Sequence, residues 1–315
     1  MEKHPTNASR APTGNPQPAT STSMNKLSMT HNNEAEGKDW DIIISGKKNL
    51  ISFQLADIWR FRDLLYMLVK RDFVVFYKQT ILGPLWFFIQ PILTALMYII
   101  VFSRIAKVST DGMPPILFYL SGTIIWNYFA DCLNNTSNTF VTNANLFGKV
   151  YFPRIVVPLA KVISGMLKFF IQFGLFLSVY IYYIATGLNI QITSAIFFLP
   201  IMILLMGMLG LGLGIFFTSL TTKYRDLGFL ITFGVQLLMY ATPVIYPLSS
   251  VPEKYRMIIL LNPMTPVLEG FRMAFLGTGT FELVHLAISC AVTLAIFLVG
   301  LVVFNYTEKD FMDTV

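Results

Sequence analysis

Six apolar stretches, residues 85–102, 116–133, 156–185, 195–220, 227–246 and 283–304, approach or exceed the length needed to cross a bilayer. A hydrocarbon core about 30 Å thick takes about 20 apolar helical residues. The expected fold class is an all-α polytopic membrane protein with six transmembrane helices. Composition agrees: 55% of residues are hydrophobic, 13% are charged and the mean hydropathy is +0.62, against about 25% charged residues in soluble domains. The net charge of +6 forms no compact basic patch with stacking aromatics, so no nucleic-acid partner is expected. Cys132 and Cys290 lie in or beside apolar spans without metal-ligand spacing, and read as small buried hydrophobes rather than a disulfide or metal ligands.

Residues 1–39 are rich in Asn, Thr, Ser and Pro and almost free of large apolar side chains. Such a segment buries too little surface to offset its ordering entropy, so a disordered head is expected. It contains no apolar h-region of a signal peptide, which points to an uncleaved N-terminus in the cytoplasm. Residues 40–60 are transitional, with 40–45 suited to a short strand or an extended segment. Six spans put both termini on one side. With the termini inside, only Arg104, Lys107, Lys254, Arg256 and Arg272 of the 23 Lys and Arg fall in outer loops, as the positive-inside rule requires.

Residues 61–82 are apolar yet too interrupted to span. Phe61, Leu64, Leu65, Leu68 and Val69 recur at helical spacing, while Arg62, Asp63, Lys70, Arg71, Asp72 and Lys78 intervene. An amphipathic helix in the inner interface avoids burying those charges in hydrocarbon. From the residues alone it is a plain anchor or a contact for a partner protein, and 83–315 then forms the transmembrane domain.

Several loop motifs occur in order between these spans. Arg71-Asp72 precedes Tyr77-Lys78-Gln79-Thr80, Leu82-Gly83 and Trp86, and Lys149-Val150-Tyr151-Phe152-Pro153-Arg154 precedes Pro158-Leu159. Tyr224-Arg225-Asp226 comes next, then Thr242-Pro243-Val244-Ile245-Tyr246-Pro247, Asn262-Pro263-Met264 and Glu269-Gly270-Phe271-Arg272. In this order, over about 61–315, the chain resembles the ABC-2-type permeases that export cell-surface polysaccharides such as O-antigen and teichoic acid. One departure is Phe76, where that family's pattern has a basic residue. The resemblance implies an inner-membrane half-transporter: a homodimer forms the pore, and two copies of a separate ABC ATPase subunit bind ATP and Mg. No GxxxxGK[ST] loop occurs in this chain, so no cofactor is expected on it.

Under that resemblance, the loop with Phe147, Lys149, Tyr151, Phe152 and Arg154 is the main ATPase-coupling candidate, because Pro153 and Pro158 bound a short segment there. The alternative is a solvated connector. Arg71, Lys78, Arg225 and Asp226 are secondary contacts or internal ion pairs, the latter favoured for Arg225 and Asp226. Pro252, Pro263, Pro266 and Gly270 break up an apolar outer segment, which suits re-entrant helices before the last span. Pro243, Tyr246, Asn262, Pro263, Glu269 and Arg272 belong to this outer re-entrant gate, where Glu269 and Arg272 have i,i+3 spacing and read first as a stabilising pair.

Lys168 is the costliest residue of the third span. It faces a polar interior, finds a partner, or snorkels toward head groups, and in each placement it adds attraction for a lipid-diphosphate-linked glycan. Trp126, Tyr119, Tyr180 and Tyr183 are interfacial aromatics or, in the sharper reading, pore residues that stack on sugars. Gly207, Gly210, Gly212 and Gly214 favour close helix approach, with the dimer seam as one place for it. No residues assemble into a catalytic or metal site, so the chain reads as a transport subunit. The competing functions are an ABC-2 exporter of a lipid or drug, and a membrane-embedded transferase acting on lipid-linked sugars.

Overall fold

The structure, a computed structural model, describes residues 55–78, 81–147, 152–188, 190, 192–224 and 226–314. All of these belong to one compact unit, Lys48–Val315, and the head at 1–39 and the segment at 40–45 lie outside the described residues. Twelve α-helices occur in order among them, with no strand. They are α1 (Leu55–Arg60), α2 (Arg62–Lys78), α3 (Trp86–Tyr98), α4 (Pro115–Ser137), α5 (Thr139–Thr142), α6 (Ala144–Phe147), α7 (Val156–Ala185), α8 (Leu199–Thr221), α9 (Leu227–Ala241), α10 (Glu253–Leu260), α11 (Met264–Leu276) and α12 (Leu283–Thr314).

Among the described residues, five helical stretches are long and apolar enough to cross a membrane: Gly83–Ile105, Pro115–Ser137, Val156–Ala185, Ser194–Thr221 and Leu283–Thr307. The first ends in a π-helix, Ile99–Ile105, whose wider i→i+5 turn apolarity does not foretell. The expected fifth span at 227–246 is instead a helix of 15 residues. At 1.5 Å per residue it covers about 22 Å, short of a hydrocarbon core of about 30 Å. Pro243 is the reason. Its ring disfavours helical backbone at Thr242, which is extended at φ −104°, ψ 142°. The rest of the crossing falls to irregular backbone at 242–247.

The core is organised around α4. In α4 78% of the spanning window is buried, against 17% in the stretch containing α3. It is also the least apolar of the five, because protein rather than lipid surrounds it. Ser121 and Thr123 return their hydroxyls to the carbonyls of Phe118 and Tyr119, at 2.8 and 2.7 Å, so these buried hydroxyls are paired within the helix. The glycines of α8 allow close helix approach inside the chain. Gly207, Gly210 and Gly214 meet α4, while Gly212 meets Phe297 and Gly300 of α12.

The apolar stripe of α2 packs against the start of α7. Leu68 and Val69 join Phe152, Val156, Val157 and Ala160 in one buried cluster, flanked by Phe61, Leu64 and Leu65. Trp59, Tyr66 and Met67 remain exposed. This matches the amphipathic periodicity of the sequence.

Candidate functional site

At the Pro115 end of α4, the outer-gate candidates enter several hydrogen-bonded groups, the main one a knot around Arg272. Irregular backbone at membrane depth needs donors from the protein, and Arg272 supplies them. Its Nη1 donates to the Pro243 carbonyl at 2.6 Å and its Nη2 to the Val244 carbonyl at 2.8 Å. Nη1 also reaches Glu269 Oε1 at 3.3 Å, and the guanidinium lies 3.8 Å from the Phe118 ring centroid. Both charged side chains are about 1% exposed. The second Glu269 oxygen accepts the Thr280 N–H at 3.1 Å. Asn262 donates to Thr242 Oγ1 at 2.7 Å and accepts the Met264 N–H at 3.0 Å. The Pro263 carbonyl accepts the Ser289 hydroxyl at 2.6 Å, and Tyr246 donates to the Tyr240 carbonyl at 3.2 Å. Gly122 makes room for the knot: a Cβ there would sit 2.8 Å from the Val244 oxygen and 3.0 Å from Arg272 Nη2. The i,i+3 pair is thus present, and its arginine additionally serves a broken backbone.

At the Ser137 end of α4 lies the coupling-loop candidate. Lys149, Tyr151 and Arg225 fall outside the described residues. The described aromatic residues of the loop turn inward. Phe147 stacks on Phe152 with centroids 5.6 Å apart and meets Phe140 at 5.3 Å, and Phe140 stacks on Phe304 at 5.2 Å. Arg154 lies 5.9 Å from the Phe147 ring centroid, and both Phe152 and Arg154 are buried. In the single chain these two side chains therefore brace the loop from inside. Lys78 and Asp226 are exposed. Thr221 donates to the Ser137 carbonyl at 2.7 Å, tying the end of α8 to the start of the loop.

Between α2, α4 and α7 the structure opens a charged cavity of about 630 Å³. Lys168 Nζ contacts Asp131 Oδ2 at 2.7 Å, and Lys161 Nζ contacts Asp72 Oδ2 at 2.6 Å. Arg71 Nη2 holds the other Asp72 oxygen at 2.9 Å and reaches Asn143 Oδ1 at 3.4 Å. Of the placements open to Lys168, the structure takes a partner in a polar interior. Arg71 likewise looks into this cavity.

The aromatic pore candidates pack into the core of the single chain. Tyr119, Trp126 and Tyr180 are buried, at 0%, 4% and 3% exposure, and offer no free ring face. Tyr119 packs edge-on to Tyr98 and Phe118, Trp126 to Phe129, and Tyr180 to Phe275. Tyr183 is partly buried against the same core. Position near a span end gives an aromatic its depth but not the direction it faces.

The sequence model described as "ABC-2 type transporter" matches residues 63–276. The chain belongs to that family. The match begins at the start of α2 and ends with the last residue of α11, so it contains the loop, the cavity and Arg272 with Glu269, while Thr280 and Ser289 lie beyond it. Among similar proteins, an O-antigen export system permease protein RfbA of Klebsiella pneumoniae is 28% identical over 80% of this chain and 94% of its own length. An RfbA of Myxococcus xanthus is 23% identical over 83% and 98% of the two chains. The polysialic acid transport protein KpsM of Escherichia coli is 24% identical over 74% and 89%.

In this ABC-2 chain, sequence reasoning names Asp72 only as a charge of the interface helix and half of the Arg71-Asp72 motif, and gives Asp131 and Asn143 no site role. Asp131 reads as an isolated carboxylate in the second span. Its signal is Lys168, the deeper of the two lysines in the neighbouring third span, since unlike charges inside a membrane domain seek each other. Asn143 carries no signal of its own.

Proposed function

We propose that this chain is the membrane subunit of an ATP-driven exporter that moves a lipid-diphosphate-linked cell-surface polysaccharide across the inner membrane. The observation that carries this reading is the ABC-2 family match, taken with relatives whose names specify O-antigen export and polysialic acid transport. The sequence has no phosphate-binding GxxxxGK[ST] loop, so ATP and Mg belong on a separate ATPase subunit, two copies of which serve a homodimer of this chain. The bias of Lys and Arg orients both termini, and the connection between α4 and α7, toward the cytoplasm. The loop then meets the ATPase, with Lys149 and Tyr151 as the contact candidates and Phe147, Phe152 and Arg154 as its inner brace. The knot around Arg272 closes the opposite, outer end.

Deleting the chain tests the cargo. Glycan retained inside the cell, and restored to the surface by the wild-type chain, is the expected result; unchanged surface glycan would refute it. Purification in mild detergent tests the partner, with a stoichiometric ATPase expected to co-purify.

A further inference from the structure

We propose that the cavity between α2, α4 and α7 binds the phosphodiester headgroup of an anionic phospholipid, drawn from the leaflet on which α2 lies and separate from the transported cargo. The proposal needs only a membrane around the helices, and stands whether or not the cargo is a polysaccharide.

Depth is the first argument. Lys168 lies about 18 Å along α7 from its start at Val156, within a spanning helix. Yet the charged side chains are not sealed: Asp131 keeps 32% of its surface, Arg71 43%, and Lys161 and Lys168 21% each. Charged surface at that level does not face hydrocarbon, so the opening holds something polar.

Charge and hydrogen bonding narrow the occupant. Among the described lining residues, three cations (Arg71, Lys161 and Lys168) oppose two carboxylates, Asp72 and Asp131. One positive charge is left over, which a phosphodiester balances and a diphosphate over-compensates. Basic pockets between transmembrane helices are suited to anionic lipid headgroups. Ser164 also lines the cavity, and its hydroxyl is buried with no hydrogen-bond partner. Phe73 and Phe87 line the same cavity and stack at 6.2 Å, an apolar wall beside the charges where acyl chains can leave toward the bilayer.

The test is native mass spectrometry of the full-length chain in mild detergent, titrated separately with phosphatidylglycerol, phosphatidylcholine, a polyprenyl diphosphate and inorganic phosphate. Phosphatidylglycerol is expected to bind most tightly. Two variants change the surplus charge in opposite senses. Lys161→Gln removes it while Arg71 still holds Asp72, and Asp72→Asn raises it. Affinity for phosphatidylglycerol should fall at least about fivefold in the first and rise by a similar factor in the second, as expected for one unit charge at contact distance in a wet site. Equal binding of phosphatidylcholine, or displacement by inorganic phosphate, would overturn the headgroup assignment. Preference for the polyprenyl diphosphate would reassign the cavity to cargo. Loss of binding in both variants would reduce the ion pairs to a structural role. The comparison of lipids on the wild-type chain decides the matter even if a variant misfolds.

Discussion

Replacing Arg272 by alanine removes four interactions at once, and their sum can be worked from the geometry. The buried Glu269 carboxylate loses its partner, and breaking a buried pair costs about 3–5 kcal/mol. The carbonyls of Pro243 and Val244, held at 2.6 and 2.8 Å, lose their donor, at about 1–3 kcal/mol each if left unpaired. The ring of Phe118 loses a desolvated cation 3.8 Å away, worth about 2 kcal/mol. Even with strong non-additivity the total exceeds about 5 kcal/mol, comparable to the whole stability of many domains. Arg272→Lys keeps the charge but not the planar fork that reaches two carbonyls and a carboxylate together, so about 2 kcal/mol is lost. Melting of the purified protein in mild detergent, followed by size exclusion, reads both. At about 2–4 °C per kcal/mol, the alanine variant should melt at least about 10 °C lower and the lysine variant about 5 °C lower. An alanine variant within about 2 °C of wild type would refute the claim that this guanidinium sustains the broken crossing.

Lys168→Met and Asp131→Leu should each destabilise by about 1–2 kcal/mol, since the pair keeps partial exposure, and the double variant should recover most of the loss in a melting-based cycle. Gly300→Ala brings a methyl onto the Gly212 carbonyl and should cost about 2 kcal/mol. Gly174→Ala, with open space at its Cβ, should instead stabilise by about 0.5–1 kcal/mol, read in the same assay. Thr221→Val removes the 2.7 Å bond to the Ser137 carbonyl. It should cost about 1 kcal/mol and speed hydrogen exchange across α5, with unchanged exchange counting against the tie.

Apolar length makes the spans legible because lipid demands it, and the third occupies residues 156–185 as the hydropathy reads. The fifth departs from its hydropathy because residues 242–246 stay apolar while Pro243 ends the helix. Composition reports burial, and the proline reports backbone. The site is legible only where partners are near in sequence. Glu269 and Arg272 are three residues apart and pair on spacing alone, whereas Lys168 and Asp131 are 37 apart and meet only through the packing of α4 on α7. Trp126 and Tyr180 are hidden from sequence for a related reason. Which side of a helix meets protein depends on its neighbours, and those are chosen in three dimensions.

The π-helix at Ile99–Ile105 gives the first crossing one residue of slack. In i→i+5 bonding an extra residue is absorbed within each wide turn. Returning one such turn to α-helical bonding would feed that residue along the axis, advancing the chain beyond it by about 1.5 Å and turning it by about 100°. Arg104, in the last turn of this segment, would swing with it. Tyr98, just before the segment, would stay anchored, its hydroxyl against the Met239 sulfur at 3.4 Å. Such a change would move only the chain beyond the segment, while Tyr98 at its start keeps its contact with Met239 of α9.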